Sequence, residues 1–263
     1  MARSKRVTRT EYRHPHRPLL IRVINRLGKE RGSSGSSRRL SDAALLEEAI
    51  RREGLTDFGE EPFRPGLSKL LEAIESEARL TPLGSWITRK RLVGSLRNRL
   101  RAERLFRAHP EILELEIKPP IVITGIQRTG TTFLHRMLAA DPDTRALMSW
   151  EALNPAPLLP AGRDGRDRRI RSARLSQWAL SFLAPDFFAV HPVEAEAPEE
   201  DVLLLDYSFL STVPEATLRV PGFSRWLEEQ DVLPAYRYMK KLLQLLQWQR
   251  PGERWGLKSP HHL

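Results

Sequence analysis

The sequence predicts an α/β fold: a three-layer arrangement around a parallel central sheet, preceded by a helical module. Three observations carry this. Ile121-Val-Ile-Thr124 is a short apolar run closed by Gly125, and Phe133, Leu134, Met137 and Leu138 follow at helical spacing. That pattern is a strand, a loop and a helix in succession. Arg254-Trp-Gly-Leu257 reads as a later strand, and helical segments near 222–229 and 234–249 precede it. Strands that alternate with helices build a parallel sheet. Ahead of Ile121, Leu92, Leu96 and Leu100 repeat along one face of a long helix with no strand signal nearby.

The elements follow in order. Residues 1–40 read as a basic flexible tail that ends in Gly32-Ser-Ser-Gly-Ser-Ser37, a linker composition. Asp42 is the expected N-cap of a helix over 43–52, with Leu45, Leu46, Ala49 and Ile50 on one side and Gly54 at its stop. A second helix is expected over 67–78 and a third over 82–108, where His109-Pro110 ends it. Residues 41–118 form the helical module, and Lys118-Pro-Pro120 opens the α/β part, 119–263. Asp141-Pro142 closes the helix after the loop, and a second strand is expected over 145–150. A proline-rich loop and a helix over 163–183 come next. His191 to Glu200 is an acidic turn that leads into a helix with Pro198 near its first position.

Bulk properties narrow the function classes. The 263 residues are 40% hydrophobic and 29% charged, an ordinary globular balance. There is no cysteine, which removes disulfides and thiolate metal sites. No apolar run reaches the ~18 residues of a membrane helix. The net charge of +10 lies entirely in residues 1–40, which hold 12 Lys/Arg and 2 Asp/Glu; the remainder holds 31 of each sign. The body is therefore not built for nucleic acid. The tail has no apolar segment of a secretory signal, and nothing apolar follows Arg38-Arg39, so the expected location is cytoplasmic.

The chemistry concentrates in the loop after the first strand. Gly125-Ile-Gln-Arg-Thr-Gly-Thr-Thr132 has the glycine spacing of a Walker A motif, which makes the fold P-loop-type. Thr131 stands where a triphosphatase carries its lysine, and the cation has moved into the loop as Arg128. Leu203-Leu-Leu-Asp206 imitates a magnesium-binding strand end but sits in a helical context. Backbone N–H groups at a helix start, the Thr131 and Thr132 hydroxyls and Arg128 suit a phosphate-type anion. The parts for β–γ cleavage are missing. A P-loop kinase or nucleoside triphosphatase is one rival reading, and a basic-tailed scaffold with a vestigial loop is another.

This loop resembles the 5′-phosphosulfate loop of sulfotransferases that use 3′-phosphoadenosine-5′-phosphosulfate (PAPS). The likeness is to the bacterial branch related to tyrosylprotein and heparan sulfate enzymes. Trp255-Gly-Leu-Lys-Ser-Pro-His-His-Leu263 resembles that branch's second marker. The resemblance implies transfer of a sulfuryl group from PAPS to a small-molecule, glycan or lipid hydroxyl, or to an amine, with no metal. Gln127, Arg128, Thr129, Gly130, Thr131, Thr132 and Ser259 would hold the donor. Glu151 would be the base, Lys258 would stabilise charge on the leaving group, and Arg128 would share that role. His191, Glu199 and Glu200, with Glu194, fall where the family varies its acceptor site. His135 reads as surface or packing. His261 and His262 are adjacent and cannot both face one metal. The family's 3′-phosphate site, an Arg on the next strand and a later Ser, does not appear before Leu263. The resemblance thus implies a catalytic domain truncated at its C-terminus, an incomplete sheet, weak or absent nucleotide affinity and low stability. The acceptor and the oligomeric state are not legible.

Overall fold

The computed structural model describes residues 17–32, 40–126, 128–158 and 167–263. The helical module contains α2 (Asp42–Glu53), α3 (Phe63–Glu77) and α4 (Pro82–Ala108). The N-cap of α2 is Ser41, one residue before the expected Asp42: its hydroxyl accepts from the Ala44 N–H at 3.3 Å. Gly54 closes α2 at φ 68°, a left-handed conformation that costs glycine little. Thr81 caps α4 ahead of Pro82, whose missing N–H is one that no helix would satisfy.

A helix also occupies part of the expected flexible tail. α1 (Leu19–Gly32) packs on the start of α4. The basic charge of this stretch hides a helical apolar pattern, Leu20, Ile24 and Leu27, and the expected linker after Gly32 lies outside the described residues.

One hydrophobic core runs through the module and the α/β part, from Leu45, Leu67 and Leu96 to Leu242, Trp255 and Leu257. Arg99 pins the two together. It is 2% exposed, donates to the carbonyls of Phe58, Glu60 and Tyr207, and lies between the Phe63 and Tyr238 rings at 4.4 and 3.8 Å. A guanidinium can be buried here because carbonyls and ring faces replace its water. Gly66 of α3 lets its backbone approach the chain near Phe209: a Cβ there would sit 2.4 Å from the Phe209 carbonyl oxygen. Gly66→Ala is expected to destabilise the protein by about 1–3 kcal/mol through overpacking. An unchanged urea midpoint would show that this contact yields freely.

The sheet has order β1-β3-β2 and is parallel throughout. β1 is Ile121–Ile123, β2 is Thr144–Ala146 and β3 is Arg254–Lys258. The strand expected over 145–150 stops at Ala146, because the chain turns into α6 (Ser149–Leu153). Glu151 drives that turn by accepting from the Met148 N–H at 3.0 Å. Helix α5 (Thr131–Leu138) follows the loop. Its His135 is buried for packing and meets the Gly256 carbonyl of β3 at 3.2 Å. Burial holds His135 below the ordinary histidine range, so its ring stays neutral as a donor at neutral pH.

Helix α7 runs Arg168–Leu183 from an Asp167 cap, and α8 (Phe187–Val190) is a single turn. Pro198 does not begin a helix. It forms an antiparallel bridge with Met148, and Glu199 N–H donates to the Leu147 carbonyl at 2.8 Å. The acidic segment is thus held across the end of β2 before α9 (Val202–Leu205) starts. Helices α10 (Pro221–Glu228) and α11 (Leu233–Gln249) then lead into β3.

Candidate active site

Parallel register brings the two distant sequence markers to one end of the sheet. Ile123, just before the loop, lies opposite Lys258, the last residue of β3. The Ser259 N–H donates to the Ile123 carbonyl at 3.2 Å and ties the two strand ends together. In a parallel sheet this carboxyl end is where ligands bind.

The loop is open to solvent around Arg128, Thr129 and Gly130. Gly130 takes φ 88° as the N-cap of α5, and Arg128 itself takes φ 68°. A left-handed arginine is strained relative to glycine. It turns the loop so that α5 begins with Thr131 and Thr132, whose hydroxyls are half-buried at the helix start. The Thr129 hydroxyl donates to the Ile126 carbonyl at 2.6 Å and braces the loop. Gln127 lies outside the described residues.

Lys258 is 5% exposed, and its ammonium pairs with Glu200. Glu199, next to it, accepts at 2.9 Å from the Glu200 N–H and lies 3.2 Å from His191 Nε2. The hydrogen bond to Glu199 holds His191 above the ordinary histidine range. So Lys258, Glu200, Glu199 and His191 form one connected cluster on the acidic segment.

Glu151 does not join it. Its carboxylate is 1% exposed and is clamped by Arg145 at 2.8 and 2.9 Å and by Arg250 at 2.9 and 3.1 Å. Burial alone would raise its pKa. The hydrogen bonds from Arg250 and Arg145 outweigh burial and hold it below the usual carboxylate range. A depressed pKa and no open lone pair are the reverse of what a general base needs. Glu151, expected as the base, joins β2, α6 and the end of α11 through these contacts. Asp206, the imitation magnesium ligand, is likewise spent on Arg91 and Ser211 at 2.8 and 2.9 Å.

At the end of β3 the sequence singled out Ser259, His261 and His262 but not their partners Asp201 and Tyr236. Ser259 is fully buried and its Oγ accepts from the His261 N–H at 3.1 Å, so it shapes the turn. Asp201, also fully buried, meets His262 Nε2 at 3.0 Å, and His262 Nδ1 meets the Tyr236 hydroxyl at 2.7 Å. Glu194, from the acidic segment, pairs with Arg136 of α5 at 2.9 Å. Among the described residues no group of three His, Asp or Glu side chains could hold a metal ion.

The family model described as the sulfotransferase family matches residues 119–263, more than half of the chain. The chain belongs to the sulfotransferase family. The matched region starts just before β1 and takes in the loop, the acidic segment and Lys258. A crystal structure of sulfotransferase STF1 from Mycobacterium tuberculosis H37Rv is similar, with 33% identity and a TM-score of 0.69. It covers 86% of this chain, and the chain covers 63% of it. Sulfotransferase STF9 from Mycobacterium avium is similar at 27% identity and a TM-score of 0.74, covering 87% of this chain and 59% of its own. The chain thus spans less than two thirds of either structure. No match is found among curated proteins.

Proposed function

We propose that this sulfotransferase transfers a sulfuryl group from PAPS to an acceptor hydroxyl by in-line displacement. The observation that carries the reading is the Ile123–Lys258 register, which joins the anion loop to a buried lysine at one sheet end. Arg128, the Thr131 and Thr132 hydroxyls and the N–H groups at the start of α5 hold the donor's 5′-phosphosulfate. The acceptor oxygen attacks sulfur, the bond from sulfur to the bridging oxygen breaks, and adenosine 3′,5′-bisphosphate leaves. Lys258 meets the charge that grows on that bridging oxygen, and Glu200 keeps its ammonium in place until the donor arrives.

The acceptor proton goes to His191. With its Nε2 proton donated to Glu199, the ring carries a lone pair on Nδ1, and Glu199 compensates the imidazolium that forms. The base must be neutral, so kcat/KM falls as pH drops through the raised pKa of His191. Glu199, Glu200 and Lys258 are the charged groups around the ring, and Glu199 contributes most to the shift. Glu199→Gln is expected to move the acidic limb of the profile to lower pH and to reduce kcat. Transfer of labelled sulfate to 2-naphthol across pH reads this out. An unmoved limb would remove His191 from the mechanism.

ATP is the rival donor. Binding of adenosine 3′,5′-bisphosphate against ATP with magnesium separates the two, and a preference for ATP would overturn the reading.

A further inference from the structure

Helix α1 is turned the wrong way round for an ordinary surface helix. It rests on α4 through Ile21, Asn25 and Gly28, positions that share one face. The Asn25 side-chain oxygen accepts from the Leu83 N–H at 3.1 Å. Gly28 lies so close that a Cβ would come within 2.6 Å of Pro82. The opposite face carries Leu19, Leu20, Val23, Ile24 and Leu27, which are 69, 60, 47, 39 and 54% exposed. A globular amphipathic helix buries such a stripe. Here Ile21, Asn25 and Gly28 are half-buried against α4, while five other aliphatic side chains face out. Arg22 and Arg26, both exposed, line one edge of the stripe at helical spacing. On the first turns of α4, Trp86 is 54% exposed with the Lys90 ammonium 4.2 Å from its ring centre, and Ile87 is 39% exposed.

Charge identifies the occupant. Residues 1–40 hold the whole net charge of +10, and the remaining chain balances. That excess opposes self-pairing of two copies through this face. Nucleic acid would match the arginines and leave five aliphatic side chains in water. An anionic bilayer satisfies both faces: aliphatic side chains enter the boundary between headgroups and acyl chains, and arginines meet lipid phosphates. No helix among the described residues is long and apolar enough to cross a membrane, so the contact is peripheral.

We propose that α1, with the exposed start of α4, is a docking surface for an anionic membrane. Leu20, Ile24 and Leu27 insert, and Arg22 and Arg26 hold the headgroups. This surface is independent of the sulfuryl-transfer reading.

The test is co-sedimentation of the full chain with phosphatidylcholine vesicles, with and without about 30 mol% phosphatidylserine. Binding is expected only with phosphatidylserine. The double variant Leu20→Asp, Leu27→Asp should weaken it at least about tenfold, since each insertion is lost and repulsion is added. Both positions are solvent-exposed, so the circular dichroism spectrum and urea midpoint should not move. Arg22→Glu with Arg26→Glu should weaken binding similarly. Binding unchanged by the leucine pair would assign the contact to basic charge alone. A wild-type dimer in sedimentation, dissociated by the same pair, would assign the stripe to a second copy. Tighter binding to an RNA oligonucleotide than to vesicles, or no vesicle binding at all, would remove the membrane. Each of these outcomes overturns the proposal.

Discussion

Glu151→Gln is expected to destabilise the protein by about 3–5 kcal/mol, the cost of breaking a buried ion pair from one side. Arg145 is 3% exposed and stacks on Trp255 at 4.3 Å, so it cannot swing to water when its partner loses charge. Arg250 is partly exposed and can relax, which places most of the cost on Arg145. The pH dependence has a definite sign. The folded-state pKa of Glu151 lies below its ordinary value. Its contribution is therefore present above the ordinary carboxylate range and is lost as pH falls through the folded pKa. Urea unfolding of the wild type and Glu151→Gln should differ most near neutrality and converge in acid. A variant that unfolds like the wild type, yet has lost sulfuryl transfer, would return Glu151 to the role of base.

Lys258→Met is expected to lower the rate of transfer about 10²–10³-fold, the scale for removing one preorganised charge-stabilising group. Methionine keeps most of the lysine stem, which lies within the carboxyl end of β3. Glu200 sits nearer to solvent than Lys258, so its lost partner can be replaced by water. The urea midpoint should move far less than for Glu151→Gln. Single-turnover transfer from labelled donor measures the chemical step. A rate within a few-fold of wild type would show that Lys258 merely caps the strand.

The parts of this site that rest on local pattern were legible in the sequence. Gly125 and Gly130 punctuate a strand and a helix, and the left-handed Gly130 sits where that pattern requires. Lys258 at a strand end followed the same logic. What was not legible depends on partners brought from afar. Glu151 looks like a free carboxylate until Arg250, from the end of α11, closes on it beside Arg145. His191 and Glu199 meet only because Pro198 bridges to Met148 and sets the acidic segment across β2. A proline near acidic residues suggested a helix start instead. Composition also misled at α1, where the arginines drew attention from the aliphatic residues between them.

The Arg128 loop is expected to cradle a sulfonated nucleotide in preference to a triphosphate. Thermal unfolding of the chain with millimolar adenosine 3′,5′-bisphosphate, or with millimolar ATP and magnesium, tests it even where affinity is weak. The bisphosphate is expected to raise Tm more than ATP does, and Arg128→Ala to remove the difference. A larger shift with ATP, a shift indifferent to Arg128→Ala, or no shift with either nucleotide would contradict it.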